Sequence, residues 1–286
     1  MLRDLVKLSR PKHWVKNVFV LMPLPFAIAG GARVEPLGFA LGVLGFAMAN
    51  SAVYAYNDAQ DAERDRLHPK KKERPVAAGR ISKPLAIGWA ALLIAVGVAL
   101  SFFSGYPNTL YVFGTYVVLN LIYCHGGKNI PLLDVFLLSS GFVLRVILGC
   151  VLVGVLPSNW LLLCTSTLAL FLAMAKRRGD LVRGLDGEHR PSLSGYSVAF
   201  LDQAMTVSVA ITLISYALYT LETQLMVKGR EFATFPFVVF AVLEYLRLAH
   251  VEDKGDNPVE VATKSPVLLL CALGWIAAAL FALPLW

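Results

Sequence analysis

The chain has 286 residues, 57% of them hydrophobic and 16% charged, with a formal net charge of +7 and a mean hydropathy of +0.64. Soluble domains carry about a quarter charged residues, so a soluble globular enzyme is excluded. The basic excess sits in short stretches between apolar runs, which points to a membrane protein and not to a nucleic-acid binder.

The first segment, residues 1–16, reads as an amphipathic interfacial stretch that lies on anionic lipid. Trp14 suits the headgroup level. Lys12 and Lys16 fall one helical turn apart, so both would reach one phosphate. No small-residue cleavage site follows a short apolar region, so the first apolar span is expected to be retained.

Apolar runs near 20 residues long can span a bilayer as helices. They recur at about 17–33, 37–56, 84–104, 108–125, 131–155, 158–175, 197–222, 232–250 and 266–286. The fold class expected is therefore all-α: a single polytopic membrane domain over 1–286, with about nine transmembrane helices. Pro23 and Pro25 should kink the first span. Alternate connections separate by charge. The N-terminal segment holds five Lys/Arg, residues 64–83 hold eight, and Lys176, Arg177, Arg178, Arg183 and Arg190 follow the sixth span. The positive-inside rule then puts the N-terminus and the two long polar loops, 57–83 and 176–196, on the cytoplasmic face of a bacterial-type inner membrane.

The sharpest signal opens the first of those loops. Asp58, Asp61 and Asp65 follow Asn57 at i, i+3 and i+7, which places three carboxylates on one face of a continuing helix. Like charges so close repel. A bound Mg²⁺ relieves the repulsion, because it is a hard cation that takes carboxylate oxygens and substrate phosphates together. Lys70, Lys71, Lys72 and Arg74 come next. An acidic cluster beside a basic one at a membrane surface reads as a site for a magnesium diphosphate.

The fifth span holds Asp134 and Arg145, and ionisable groups inside a span mark function by default. They share a helix face but stand roughly 16 Å apart along the axis, too far to pair. Each needs another partner: a phosphate or metal in a cavity, or an ion pair with another helix, for instance Arg145 with Glu244. In the second loop, Lys176 and Arg177 would hold phosphates at the end of the sixth span. Asp180 and Asp186 are six residues apart and do not share a helix face. The four cysteines, Cys124, Cys150, Cys164 and Cys271, read as small core residues. His68 and His189 read as loop residues.

The run Asn57-Asp58-x-x-Asp61-x-x-x-Asp65 resembles the first signature of the UbiA superfamily of intramembrane transferases. That resemblance implies nine helices around a central cavity, with two acidic loops binding Mg²⁺ and a diphosphate. Arg10-Pro11-Lys12-x-Trp14-Val15-Lys16-Asn17, Asp65-Arg66-x-His68-Pro69-x-Lys71-x-x-Arg74-Pro75, Tyr123-Cys124 with Lys128, and Tyr245-Leu246-Arg247 resemble the polyprenyl-phosphate phosphoribosyltransferase branch. The second Asp-x-x-x-Asp motif usual in users of prenyl diphosphates is missing, and Asp180 and Asp186 stand among cations instead.

The branch implies phosphoribosyl diphosphate as donor, a polyprenyl phosphate lipid as acceptor and Mg²⁺ as cofactor. Asn57, Asp58, Asp61 and Asp65 would be the metal group. Lys12, Lys16, Asn57, Lys71, Arg74, Tyr123, Lys128, Asp134, Arg145, Lys176, Arg177 and Asp180 would contact substrate. The alternative is a prenyltransferase acting on an aromatic acceptor. A transporter is a third reading, which does not need the clustered acids. A second copy of the chain, as a homo-oligomer, is a partner the sequence leaves open.

Overall fold

The computed structural model describes residues 1–67, 71–187, 190–223, 225–253 and 258–283. His68, Pro69, Lys70, Glu188, His189 and Lys254 lie outside the described residues. Every regular element among the described residues is helical. The α-helices are α1 (Leu2–Ser9), α2 (Pro23–Ala29), α3 (Pro36–Gln60), α4 (Ala62–Leu67), α5 (Lys83–Phe103) and α6 (Asn108–Cys124). They continue with α7 (Leu133–Leu152), α8 (Asn159–Val182), α9 (Val198–Glu222), α10 (Phe235–Val251), α11 (Pro258–Lys264) and α12 (Pro266–Ala282). Helices α3, α5, α7, α8 and α9 are long and apolar enough to cross a membrane, and α6 and α12 are shorter apolar helices. This is a multi-pass membrane protein.

Local chemistry starts these helices where they start. Ser82, Ser158, Ser197 and Ser265 cap α5, α8, α9 and α12, each hydroxyl accepting from the backbone N–H three residues on. Pro84 and Pro266 sit in the first turns, where a missing N–H costs nothing.

The first expected span departs from a plain helix. Pro11–Leu21 is a 3₁₀ helix of eleven residues, followed by the short α2 that begins at Pro23. With three residues per turn, positions i and i+3 align. Lys12 and Lys16 therefore do not share a face. Lys12 is exposed and Lys16 is half-buried, and the aligned columns are Arg10, His13, Lys16 and Trp14, Asn17, Val20. Trp14 donates from its indole to Ser51 Oγ at 2.9 Å, so it docks on α3. Asn17 and Val20 are buried.

The chain packs as two compact units. The first comprises residues 1–24, 32–125 and 144–156. Here α3 runs along α5, and α1 lies against α3. Small residues permit the close approach: a side chain at Gly45 would meet Gly97 O and the Ser101 side chain, and one at Gly149 would meet Val20 O and Pro23. Its core joins Val20, Phe46, Ala49, Phe113, Tyr116 and Leu148. The second unit comprises residues 25–31, 126–143 and 157–286. It pairs α8 with α9 and α10 with α12 around Phe171, Met174, Leu193, Leu201, Met205 and Tyr245.

Candidate active site

In the first unit the acidic motif is carried by a broken helix. α3 ends at Gln60, Asp61 takes φ −87° and ψ 2°, and α4 starts at Ala62. The expected single face of three carboxylates is therefore interrupted at Asp61. The backbone nonetheless continues nearly in register, because Asp61 N–H reaches Asn57 O at 2.9 Å and Asp65 N–H reaches Asp61 O at 2.8 Å. Asp58 and Asp65 stay close enough to share one guanidinium. Arg74 Nη1 stands 3.1 Å from Asp58 Oδ1 and 2.6 Å from Asp65 Oδ2. Both carboxylates are buried, at 2% and 3% exposure. Lys71 Nζ is 4.0 Å from Asp65 Oδ1. Asn57 donates to Asp61 Oδ2 at 3.1 Å and accepts from the Cys124 thiol at 3.3 Å.

A second guanidinium enters from the N-terminal segment. Arg10 closes α1 in the left-handed region, at φ 48° and ψ 56°. The following Pro11 disfavours continuation of the helix at this residue. Its Nη2 lies 2.5 Å from Asp58 Oδ1, and its guanidinium carbon is 4.8 Å from the Tyr54 ring centre. Further along the same segment, Asn17 Oδ1 accepts from Nε of the buried Arg145 of α7 at 3.1 Å, and Arg145 Nη2 donates to Asn50 Oδ1. The Tyr116 hydroxyl also donates to Asn50 Oδ1, at 3.0 Å, and the rings of Phe46 and Tyr116 flank the guanidinium. Burial, then the charges of Arg145 and Arg10, lower the Lys16 ammonium to about 8. Tyr123, half-buried in the last turn of α6, belongs to this unit.

In the second unit, α8 extends past the expected end of the sixth span to Val182, so Lys176, Arg177, Arg178 and Asp180 are helical and not loop residues. Lys176 is exposed, while Arg177 and Arg178 are buried. The cause is pairing. Arg177 Nε meets Asp134 Oδ2 at 2.8 Å, and its Nη1 meets Asp180 at 3.3 Å. Arg178 Nε meets Asp202 Oδ1 at 2.6 Å, and its Nη1 donates to Ala249 O at 2.8 Å. Asp134 is fully buried and also accepts from Tyr196 Oη at 2.6 Å and Ser192 Oγ at 3.0 Å. Of the partners open to a buried charge in the fifth span, an ion pair with another helix is the one Asp134 takes. Glu244 pairs with Arg247. Lys128, half-buried in the turn Gly127–Asn129, also belongs to this unit.

The family model that matches residues 17–259 is the UbiA prenyltransferase family. The chain belongs to that family. Two curated relatives are named decaprenyl-phosphate phosphoribosyltransferase. The one from Corynebacterium glutamicum is 36% identical over 281 residues, spanning 95% of this chain and 84% of the relative. The one from Mycobacterium tuberculosis H37Rv is 34% identical over 291 residues, spanning 97% and 93%. A solved UbiA homolog from Archaeoglobus fulgidus, bound to DMAPP and Mg²⁺, has a TM-score of 0.74 at 20% identity and covers 97% of this chain and 98% of its own. With these relatives, the UbiA-family chain is a transferase.

Among the described residues, no three carboxylate, imidazole or thiol groups converge as a ready metal site. Mg²⁺ does not demand one, since it commonly takes one or two carboxylates and completes its shell with water and substrate phosphates. The donor chemistry of this UbiA-family member fits: three acids on one short stretch, with Asn57 holding Asp61.

Reading the sequence missed the residues that complete these clusters. Arg10 was visible as a motif residue, but its contact with Asp58 was not. Asn50, a polar residue inside an apolar run, was a signal for the Arg145 contact. Ser192, Tyr196 and Asp202 had none, since nothing in their spacing links them to α7 or α8.

Proposed function

We propose that this enzyme transfers a 5-phosphoribosyl group from phosphoribosyl diphosphate to a polyprenyl phosphate, with Mg²⁺ as cofactor and diphosphate as the leaving group. The observation that carries the reading is the buried pair Asp58 and Asp65, bracketed by the partly exposed Arg10 and Arg74. Full-length similarity to curated decaprenyl-phosphate phosphoribosyltransferases supports the choice of donor and lipid.

Asp58, Asp61 and Asp65 would hold Mg²⁺, with Asn57 orienting Asp61. The bound ion would supply positive charge against the diphosphate as it leaves. The carboxylates now engage Arg10 and Arg74, and these guanidiniums would turn to substrate phosphates, which they match in bidentate geometry. Lys71 would join them from the same turn. Lys12, Lys16 and Arg145 would serve the donor's 5-phosphate or the lipid phosphate. Tyr123, Lys128, Lys176, Arg177 and Asp180 would be the further candidates for substrate contact.

The acceptor phosphate oxygen attacks the anomeric carbon, the bond from that carbon to the diphosphate oxygen breaks, and diphosphate departs with the electron pair. The nucleophile is already an anion, so no strong general base is needed. Rate would come from positioning and charge neutralisation. The motif-bearing helix ends would face the cytoplasm, where a phosphorylated sugar donor is available.

Incubation of the purified enzyme with Mg²⁺, radiolabelled phosphoribosyl diphosphate and polyprenyl phosphate should place label in the lipid fraction. Turnover of geranyl diphosphate onto an aromatic acceptor, with no lipid-bound ribose, would move the assignment to a prenyltransferase.

A further inference from the structure

Asp134 is a buried acid of the second unit held by several donors. Its side chain has no exposure. Oδ1 accepts from Tyr196 Oη at 2.6 Å. Oδ2 accepts from Arg177 Nε at 2.8 Å and Ser192 Oγ at 3.0 Å, with Arg190 Nε at 3.6 Å. Tyr196 in turn accepts from the backbone N–H of Leu132 at 2.6 Å. Leu132 has φ 65°, a left-handed conformation that is strained for a leucine and persists where its surroundings fix it. A side chain at Gly195 would strike the Pro131 ring. Three chain positions thus close on one carboxylate at the start of α7: the C-terminal turns of α8, the 3₁₀ turn Pro191–Gly195 and Tyr196.

We infer that Asp134 is a positioning residue: with Ser192 and Tyr196 it latches the 190–196 segment to α7 and fixes Arg177, whose other nitrogen holds Asp180. It does not touch substrate itself, because every direction around its carboxylate is taken by the protein. What the latch presents are the neighbours on the same helix end, exposed Lys176 and half-buried Asp180. Burial, together with the Asp134 carboxylate, raises the Tyr196 phenol above its usual range, so it remains a donor at any working pH.

The functional half of this inference rests on the phosphoribosyl-transfer reading; the latch itself does not. Tyr196→Phe and Ser192→Ala remove single hydroxyls and leave Asp134 and Arg177 paired. Asp134→Asn removes the charge that faces Arg177 Nε and risks misfolding, so it serves only as a comparison. Amide hydrogen exchange in detergent, with no substrate present, should rise in both hydroxyl variants across residues 190–196. Unchanged exchange in both would overturn the latch. In turnover, losing one hydrogen bond to a charged group should raise the donor KM by about tenfold, with the lipid KM unmoved. Faster exchange with both KM values unchanged would overturn the positioning role and leave Asp134 merely structural. A wild type that exchanges as expected but never uses phosphoribosyl diphosphate would sink the proposed reaction and not the latch.

Discussion

The two acidic clusters are built from the same residue types to opposite ends. At Asp58 and Asp65 the carboxylates are buried, but the cations over them keep contact with solvent: Arg10 at 20% and Arg74 at 26% side-chain exposure. At Asp134 both members are sealed, with exposures of 0% and 1%. A guanidinium that remains partly in water can leave its carboxylate at modest cost. One that is fully desolvated cannot, because removing its partner strands a buried charge. The first cluster is therefore suited to exchange its cations for a ligand, and the second to hold its shape.

The largest expected effect tests the first half of that contrast. Asp58→Asn and Asp61→Asn should each lower turnover by at least about a hundredfold, as loss of a metal-supporting oxygen does. EDTA should stop the wild-type enzyme and Mg²⁺ should restore it. Full activity in metal-free protein would end the assignment.

The second half is read in stability. Asp134→Ala should cost about 3–5 kcal/mol of unfolding free energy, because buried Arg177 loses its sealed partner, whereas Asp134→Leu with Arg177→Met should recover most of the loss. Asp58→Asn should cost less than half as much, since Arg10 and Arg74 can rehydrate. Equal losses at the two sites would erase the distinction.

The smallest effect concerns pH. Lys16 sits at about 8, lowered first by burial and then by Arg145 and Arg10. A lowered ammonium loses its charge as pH rises through 8, not near 10.5. If Lys16 holds a substrate phosphate, KM should climb by up to about tenfold from pH 7 to pH 9. Lys16→Arg should flatten that rise. An unchanged KM profile in the wild type would remove Lys16 from the binding site.

The membrane helices were legible because apolar length is a one-dimensional signal. The boundaries of α8 were not. A run of Lys176, Arg177 and Arg178 reads as solvent-facing, and only the acids Asp134 and Asp202, distant in sequence, make two of those cations buried and helical. The acid triad was legible as a group, but the break at Asp61 was not, since no proline or glycine announces it. The N-terminal motif was legible in composition and misread in geometry. Lys12 and Lys16 suit one another at 3.6 residues per turn, and the segment adopts three.

That tighter winding decides which kinds of sequence change the segment can absorb. In Pro11–Leu21 the column Trp14, Asn17, Val20 meets Ser51, Arg145 and the core of the first unit. A residue swapped within a column alters one contact. A single residue inserted or deleted turns everything beyond it by roughly 120°, exchanging whole columns at once and taking Asn17 away from Arg145. For this stretch, length is held more tightly than identity.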